Sequence, residues 1–272
     1  MSKSARAIEQ AFATCRREKR AAFIPFLMAG DPSLAVTGEL IEALARGGAD
    51  VIELGLPFSD PIADGPVNQR AANRALASGT TLSGVLEMIA DRRKSLGVPI
   101  VLFTYFNPLH ARGLDRFAEQ AAGSGVDGVL CVDLPPEEGE RELVPILDAH
   151  GIDSIYLLAP TSTKERIRRA AKASSGFLYY VSRTGVTGEQ KALAGDLADE
   201  IRRMKKKLPL PLAVGFGIST PEQVREVGEI ADGVVVGSAL VRLVEEHAGD
   251  PDLADRLEAR VRELSAPLRR RR

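Results

Sequence analysis

The sequence predicts a single (β/α)8 barrel over residues 1–272, with an extra helix at its N-terminus and short extra helices in the loops that follow the strands. Three observations carry this. Eight short apolar runs recur along the chain, and each is followed by a segment with helical hydrophobic period. The runs are continuously apolar rather than alternating, as strands of a parallel sheet buried on both faces must be. The glycine-rich loops come late, after the sixth, seventh and eighth runs, whereas a doubly wound open sheet would want a phosphate loop straight after its first strand.

The expected strands are Phe23–Met28, Val51–Leu54, Ile100–Thr104, Gly128–Val132, Ser154–Leu158, Phe177–Val181, Leu212–Phe216 and Gly233–Val236. Between them, Leu40, Ile41, Leu44 and Ala45 share one helical face, as do Leu82, Val85, Leu86 and Ile89. Phe117, Ala121 and Ala122, then Leu143, Ile146 and Leu147, then Ile167 and Ala170 continue the pattern. Thr163 is a candidate N-cap, and Thr220-Pro221 opens a helix with proline in its first turn. The gap between the second and third strands is long, and Val67–Ala77 within it reads as an added helix. Residues 1–20 read as a helix that caps the barrel floor. Strand–helix alternation with right-handed crossovers closes into a barrel at eight repeats.

Composition narrows the function. With 36 basic and 37 acidic residues the net charge is −1, so no broad basic face points to nucleic acid. The run Arg269–Arg272 reads as a solvated tail. No apolar run is long enough to span a membrane, and the amphipathic, charged N-terminus does not read as a signal segment. Two cysteines, Cys15 in a polar N-terminal helix and Cys131 in an apolar run, suggest a reducing, cytoplasmic setting rather than a disulfide framework. His110, His150 and His247 show no metal-ligand spacing, which disfavours a structural or catalytic zinc, though carboxylates could still hold magnesium; no residue is assigned to a metal.

The densest chemistry lies in Glu53–Pro66, which reads ELGLPFSDPIADGP. Glu53 falls inside an apolar strand, where an unpaired carboxylate is costly to bury. It can face either the barrel interior or the helices. Facing inward near the top, it would stand where barrel catalysts stand, and an apolar site would raise its pKa into the range of a proton shuttle. Asp60 and Asp64 follow on the loop and can share a cavity if that segment turns helically; alone, each fits a solvated turn equally well.

A second constellation suits an anion. Ser182-Arg183-Thr-Gly185-Val-Thr187-Gly188, Gly215-Phe-Gly217-Ile-Ser219 and Gly237-Ser238 follow the sixth, seventh and eighth strands. Glycines let backbone N–H groups approach a phosphate, and a helix N-terminus adds a favourable dipole. Every lysine falls in a predicted helix or loop, so a Schiff-base lysine on a strand is not available. Carbon–carbon chemistry would then rest on carboxylates.

These residues, together with Asp31-Pro32, Thr104–Pro108 and Asp133–Glu137, closely resemble the tryptophan synthase α subunit family in order and spacing, from about Phe23 to Leu243. The resemblance implies a lyase of tryptophan biosynthesis that cleaves indole-3-glycerol phosphate to indole and glyceraldehyde 3-phosphate. It implies Glu53 as general acid/base and Asp64 as the second catalytic carboxylate, holding the indole N–H. It places Tyr179 near the substrate, Phe26 and Tyr105 along the indole pocket, and Gly188, Gly217, Gly237 and Ser238 at the phosphate. Aromatic character alone would fit Phe26 and Tyr105 to a core equally well. Arg183 and Thr187 match a closing loop in which Thr187 meets the catalytic aspartate. The chain itself needs no cofactor; pyridoxal phosphate (PLP) belongs to a β subunit, which docks on loops holding Asp60, Pro61, Asn107 and Pro108 in an αββα assembly. The isolated chain is expected to be monomeric. The sequence departs from the family in the loop after Gly188 and in its arginine tail.

Three other readings compete. A stand-alone indole-releasing lyase would work without a partner. A non-catalytic scaffold has no need of a buried Glu53. Another phosphate-binding barrel of aromatic amino-acid synthesis has no need of Asp60-Pro61 and Asp64-Gly65-Pro66 at this distance from Glu53.

Overall fold

The computed structural model of the chain describes residues 6–181, 195–215 and 217–269. In chain order the elements are α1 (Ala7–Arg17), β1 (Ala22–Met28), α2 (Leu34–Gly47), β2 (Ile52–Gly55), α3 (Pro66–Ala77), α4 (Leu82–Arg92) and β3 (Ile100–Thr104). Then come α5 (Phe106–Arg112), α6 (Leu114–Ser124), β4 (Gly128–Cys131), α7 (Pro136–Glu142), α8 (Val144–Ala149), β5 (Asp153–Leu158) and α9 (Lys164–Ala173). The chain continues through β6 (Leu178–Val181), α10 (Gly195–Lys205), β7 (Leu212–Gly215), α11 (Pro221–Gly228), β8 (Gly233–Val236), α12 (Ser238–Glu246) and α13 (Leu253–Arg269). The eight strands pair in parallel, in sequence order, and β1 closes on β8 to form the barrel. The predicted strands agree to within one or two residues; Phe216 lies outside the described residues.

The period of two along each strand divides the apolar residues into two sets. Ile24, Val51, Val101, Leu130, Ile155, Phe177, Ala213 and Val235 fill the barrel interior together with Ile8, Phe12 and Cys15 of α1. The alternate residues, such as Leu27, Ile52, Leu54, Leu102, Leu178 and Val234, pack outward against the helices. α1 is therefore a plug in the barrel floor, as residues 1–20 predict. Cys15 is on its buried face, 1% exposed, so the polar character expected of that helix does not extend to it. Burial also pushes its thiol up to about 12.

Local chemistry sets the helix ends. Ser33, Thr81 and Thr163 each accept the N–H of the third residue on, and Thr220 forms a full capping box with Gln223. α2 ends at Gly48 with φ +110°, a conformation that favours glycine. α13 lies so close on α2 that a Cβ at Gly47 would come within 2.7 Å of Val261. Ser265 and Arg269 of α13 donate to the carbonyls of Gly47 and Gly48 at 3.2 and 2.8 Å. Arg269 is thus a capping residue rather than part of a free tail; residues 270–272 lie outside the described residues.

One ion-pair network bears on the barrel mouth. Asp31, after β1, is buried and takes both Nε and Nη2 of Arg74 at 2.8 and 2.7 Å. Arg74 and Arg70 of α3 also hold Glu245 of α12. α3, which begins just after Asp64, is thereby fastened to α12, which begins at Ser238.

Candidate functional site

Glu53 sits in the middle of β2, two residues after the inward-facing Val51, so strand parity turns it into the barrel. Its Cα partners are Phe26 on β1 and Val101 on β3. Its side chain is 1% exposed, and Oε1 has no hydrogen-bond partner. Desolvation, with the nearby charge of Asp64 second, pushes its carboxyl up to about 8. The orientation that sequence leaves open is settled by this parity.

Asp64 lies at the end of the loop that leaves β2, just ahead of α3. Four contacts hold that loop. The Tyr105 hydroxyl donates to Asp64 Oδ2 at 2.8 Å and accepts the Ala63 N–H at 3.0 Å. Gln69 donates to the Asp64 carbonyl at 2.9 Å, and the Phe58 ring lies 5.1 Å from that of Tyr105. Burial raises the Asp64 carboxyl above its ordinary value, while Tyr105 and Asn68 pull it back.

Both carboxylates line one cavity of about 750 Å³ at the C-terminal ends of the strands. Phe26, Tyr179, Gly217, Gly237 and Ser238 line it too, so most of the expected site converges there. Tyr179 pairs in register with Leu157 and Ala213 and is buried. Burial and the adjacent Glu53 hold its hydroxyl well above its ordinary pKa. Gly217 has φ +72°, a left-handed conformation open to glycine. Ser238 is the first residue of α12, so the N-terminus of that helix opens on the cavity, a position suited to an anion.

Other expected residues fall elsewhere. Tyr105 is buried behind Asp64 rather than on the cavity wall. Asp60 is exposed on the loop after β2, beside the half-buried Pro61; Asn107 is exposed and Pro108 half-buried in the first turn of α5 rather than in a loop. Thr187 and Gly188, with Ser182, Arg183 and Gly185, lie outside the described residues. Sequence reasoning did not single out Phe103, Asn68, Leu157, Ser162, Arg166 or Arg242, which also line the cavity. Strand parity would have found Phe103 and Leu157; the others depend on loop and helix placement. Among the described residues, no lysine lines the cavity, and no three His, Cys, Asp or Glu side chains are grouped to hold a metal. No described helix is long and apolar enough to cross a membrane.

Comparison with known proteins follows the same line. A family model described as tryptophan synthase alpha chain matches residues 12–269. The tryptophan synthase alpha chain of Solibacter usitatus is 52% identical over 257 residues, 94% of this chain and 96% of that protein. That of Geobacter sp. (strain M21) is 53% identical over 242 residues, 89% and 90% of the two chains. The crystal structure of tryptophan synthase subunit alpha from Legionella pneumophila superposes with a TM-score of 0.90 at 37% identity, covering 97% of this chain and 99% of that one. On sequence, fold and the convergence of Glu53 and Asp64 in one cavity, the chain belongs to the tryptophan synthase alpha chain family.

Proposed function

We propose that this chain is a lyase that cleaves indole-3-glycerol phosphate to indole and glyceraldehyde 3-phosphate, the α reaction of tryptophan biosynthesis. One observation carries the reading: a buried Glu53, with no cation beside it among the described residues, shares one cavity with Asp64 and with the start of α12.

The chemistry needs a proton given and a proton taken. With its pKa near 8, Glu53 enters the reaction protonated at neutral pH. It delivers that proton to C3 of the indole ring, which becomes an iminium cation. Asp64 accepts a hydrogen bond from the ring N–H and offsets the positive charge. The Glu53 carboxylate then removes the proton of the glycerol hydroxyl next to the ring. The carbonyl of glyceraldehyde 3-phosphate forms, the carbon–carbon bond breaks, and its electron pair restores the indole. Glu53 ends protonated, so the cycle closes without a cofactor in this chain.

Phe26 and Tyr179 flank the ring, and Gly217, Gly237 and Ser238 receive the phosphate. The family resemblance assigns Gly188 to the phosphate and Thr187 to Asp64; both lie outside the described residues. Tyr105 contributes to the indole pocket through Asp64, which it holds in place.

The partner is a β subunit that carries PLP, in an αββα assembly. Asp60, Pro61, Asn107 and Pro108 form the docking surface, and Ile62, a large apolar residue 86% exposed on the same loop, supports that placement. The free chain is a monomer of the cytoplasm; its free, buried Cys15 and Cys131 suit a reducing compartment.

The test is indole release from indole-3-glycerol phosphate, with and without a β-type partner. Slow release alone and a large rise with partner is the expected result. Fast release alone would mean a stand-alone lyase, and none from folded protein would defeat the proposal.

A further inference from the structure

Among the described residues, those assigned to the phosphate, Gly217, Gly237 and Ser238, supply backbone N–H groups and one hydroxyl, but no full positive charge. A phosphate monoester carries about −1.5 to −2 charges at neutral pH. A helix N-terminus offsets the equivalent of roughly half a charge. The same cavity also holds two carboxyl groups, Glu53 and Asp64. With this balance, a cation beside the helix start would strengthen the preference for a phosphorylated substrate over its unphosphorylated counterpart.

Among the described residues, the cavity is lined by two cations, Arg166 and Arg242. Arg166, in the first turn of α9, lies 4.0 Å from Glu137 of α7. Arg242 belongs to α12 itself, four residues after Ser238. Residues four apart share a helix face, and helical side chains lean toward the N-terminus, so the Arg242 side chain is directed along the turn that carries the Ser238 N–H. The climb is about 6 Å, within reach of an arginine.

The surrounding acids leave Arg242 uncommitted. Glu245, one turn on, is held by Arg70 at 2.8 and 2.7 Å and by Arg74 at 2.7 Å. No ion pair joins Arg242 to another described residue, and it is exposed to solvent at the cavity edge. The Arg70–Glu245–Arg74 clamp also fixes α12 against α3, so the turn bearing Arg242 is held in place relative to Asp64.

We infer that Arg242 is a substrate-binding residue, whose guanidinium reaches over the first turn of α12 to complete the charge of the phosphate site and select phosphorylated substrates. This rests on the lyase reading above. Arginine suits the role because its planar fork can take two phosphate oxygens at once and stays charged at every working pH.

The experiment is steady-state kinetics of wild type, Arg242→Gln and Arg242→Lys, with Arg256→Gln on α13 as a control for net charge. Inhibition by inorganic phosphate and by indole is measured on each. In Arg242→Gln, KM should rise about tenfold, well beyond any fall in kcat, and phosphate should inhibit about tenfold more weakly. Inhibition by indole should not change. Arg242→Lys should recover most of the affinity, and added salt should raise KM more steeply in wild type than in Arg242→Gln. A wild type that cleaves the substrate, with unchanged KM and phosphate inhibition in Arg242→Gln, would overturn the inference and leave the lyase reading standing. A lysine variant as weak as the glutamine variant would overturn the charge argument. A folded wild type that releases no indole would bring down both.

Discussion

At the floor of the barrel, Asp50, Asp127 and Asp232 stand just ahead of β2, β4 and β8, and each grips one residue of the preceding strand twice. The aspartate N–H donates to the carbonyl of Phe23, Ile100 or Leu212, and the carboxylate accepts the N–H of that same residue. Each also meets a cation: Arg20 at 2.7 Å, Arg93 at 3.2 Å and Lys205 at 2.8 Å. Asp153 of β5 pairs with Arg6 at 2.9 Å. At the mouth, Glu53 and Asp64 meet no cation among the described residues, and burial raises both. Burial raises Asp127 too, but the Ile100 N–H and Arg93 pull it back, whereas at Glu53 burial and the charge of Asp64 both push upward. The same functional group thus serves two ends. Paired with cations at the floor, it fastens the starts of strands; left without a counter-charge at the mouth, at Glu53, it keeps a proton ready for transfer.

The largest effect should come from Glu53→Gln, which keeps the shape and removes the proton. Indole release should fall at least ~10³-fold, while the fold persists. Stability should move the other way. The carboxyl ionises above 4.5 when unfolded but only above about 8 in the fold, so the native state is progressively penalised between those values. The glutamine variant should therefore be more stable than wild type by on the order of 3 kcal/mol at pH 9, allowing for its own buried amide, with no such gain below about pH 4.5. Urea denaturation across pH reads this directly. Near-normal turnover, or a stability difference indifferent to pH, would end the contrast between floor and mouth.

Arg20→Met probes the other end. Arg20 and Asp50 are only 8% and 12% exposed, so removing the cation leaves an uncompensated carboxylate in the floor. The cost should be about 3 kcal/mol, seen as a lower urea midpoint, with kcat per folded molecule unchanged. A drop in kcat without a loss of stability would show that the floor is not purely structural. Smaller again is Gly217→Val. Its φ of +72° excludes a β-branched residue without strain, and the new side chain would project from the turn proposed to bind phosphate. KM should rise about tenfold or more, with kcat less affected; unchanged affinity would move the phosphate elsewhere.

Much of this arrangement is legible in the sequence because it follows from period and punctuation. Continuous apolar runs give the strands, and Thr163 and Thr220 announce helices that the structure starts there. Glu53 is conspicuous because a carboxylate in such a run demands a reason. Its direction becomes readable once Val51 is known to face inward, since parity then fixes every second residue. What stays hidden depends on three-dimensional closure. Tyr105 is 41 residues from Asp64 in the chain, and no local pattern links a tyrosine after β3 to a loop after β2. Arg242 looks like any exposed helix arginine until α12 is placed at the cavity edge. The burial of Cys15 likewise follows from α1 plugging a closed barrel, which helix composition alone does not show.

The mildest and most discriminating change at the mouth is Tyr105→Phe. It removes the hydroxyl that donates to Asp64 and accepts the Ala63 N–H, while the ring can still pack on Phe58. A hydrogen bond to the ionised form lowers a carboxyl pKa, so its loss raises that of Asp64. If ionised Asp64 is what supports the indole cation, the variant should lose activity about fivefold near neutrality, and more as pH falls. The acid limb of the kcat profile should therefore shift to higher pH, while the alkaline limb, set by Glu53, stays in place. Movement of the alkaline limb instead would mean that Tyr105 acts on Glu53. An unmoved acid limb would mean that Asp64 is not the group titrating there, and that the mouth holds one working carboxylate rather than two.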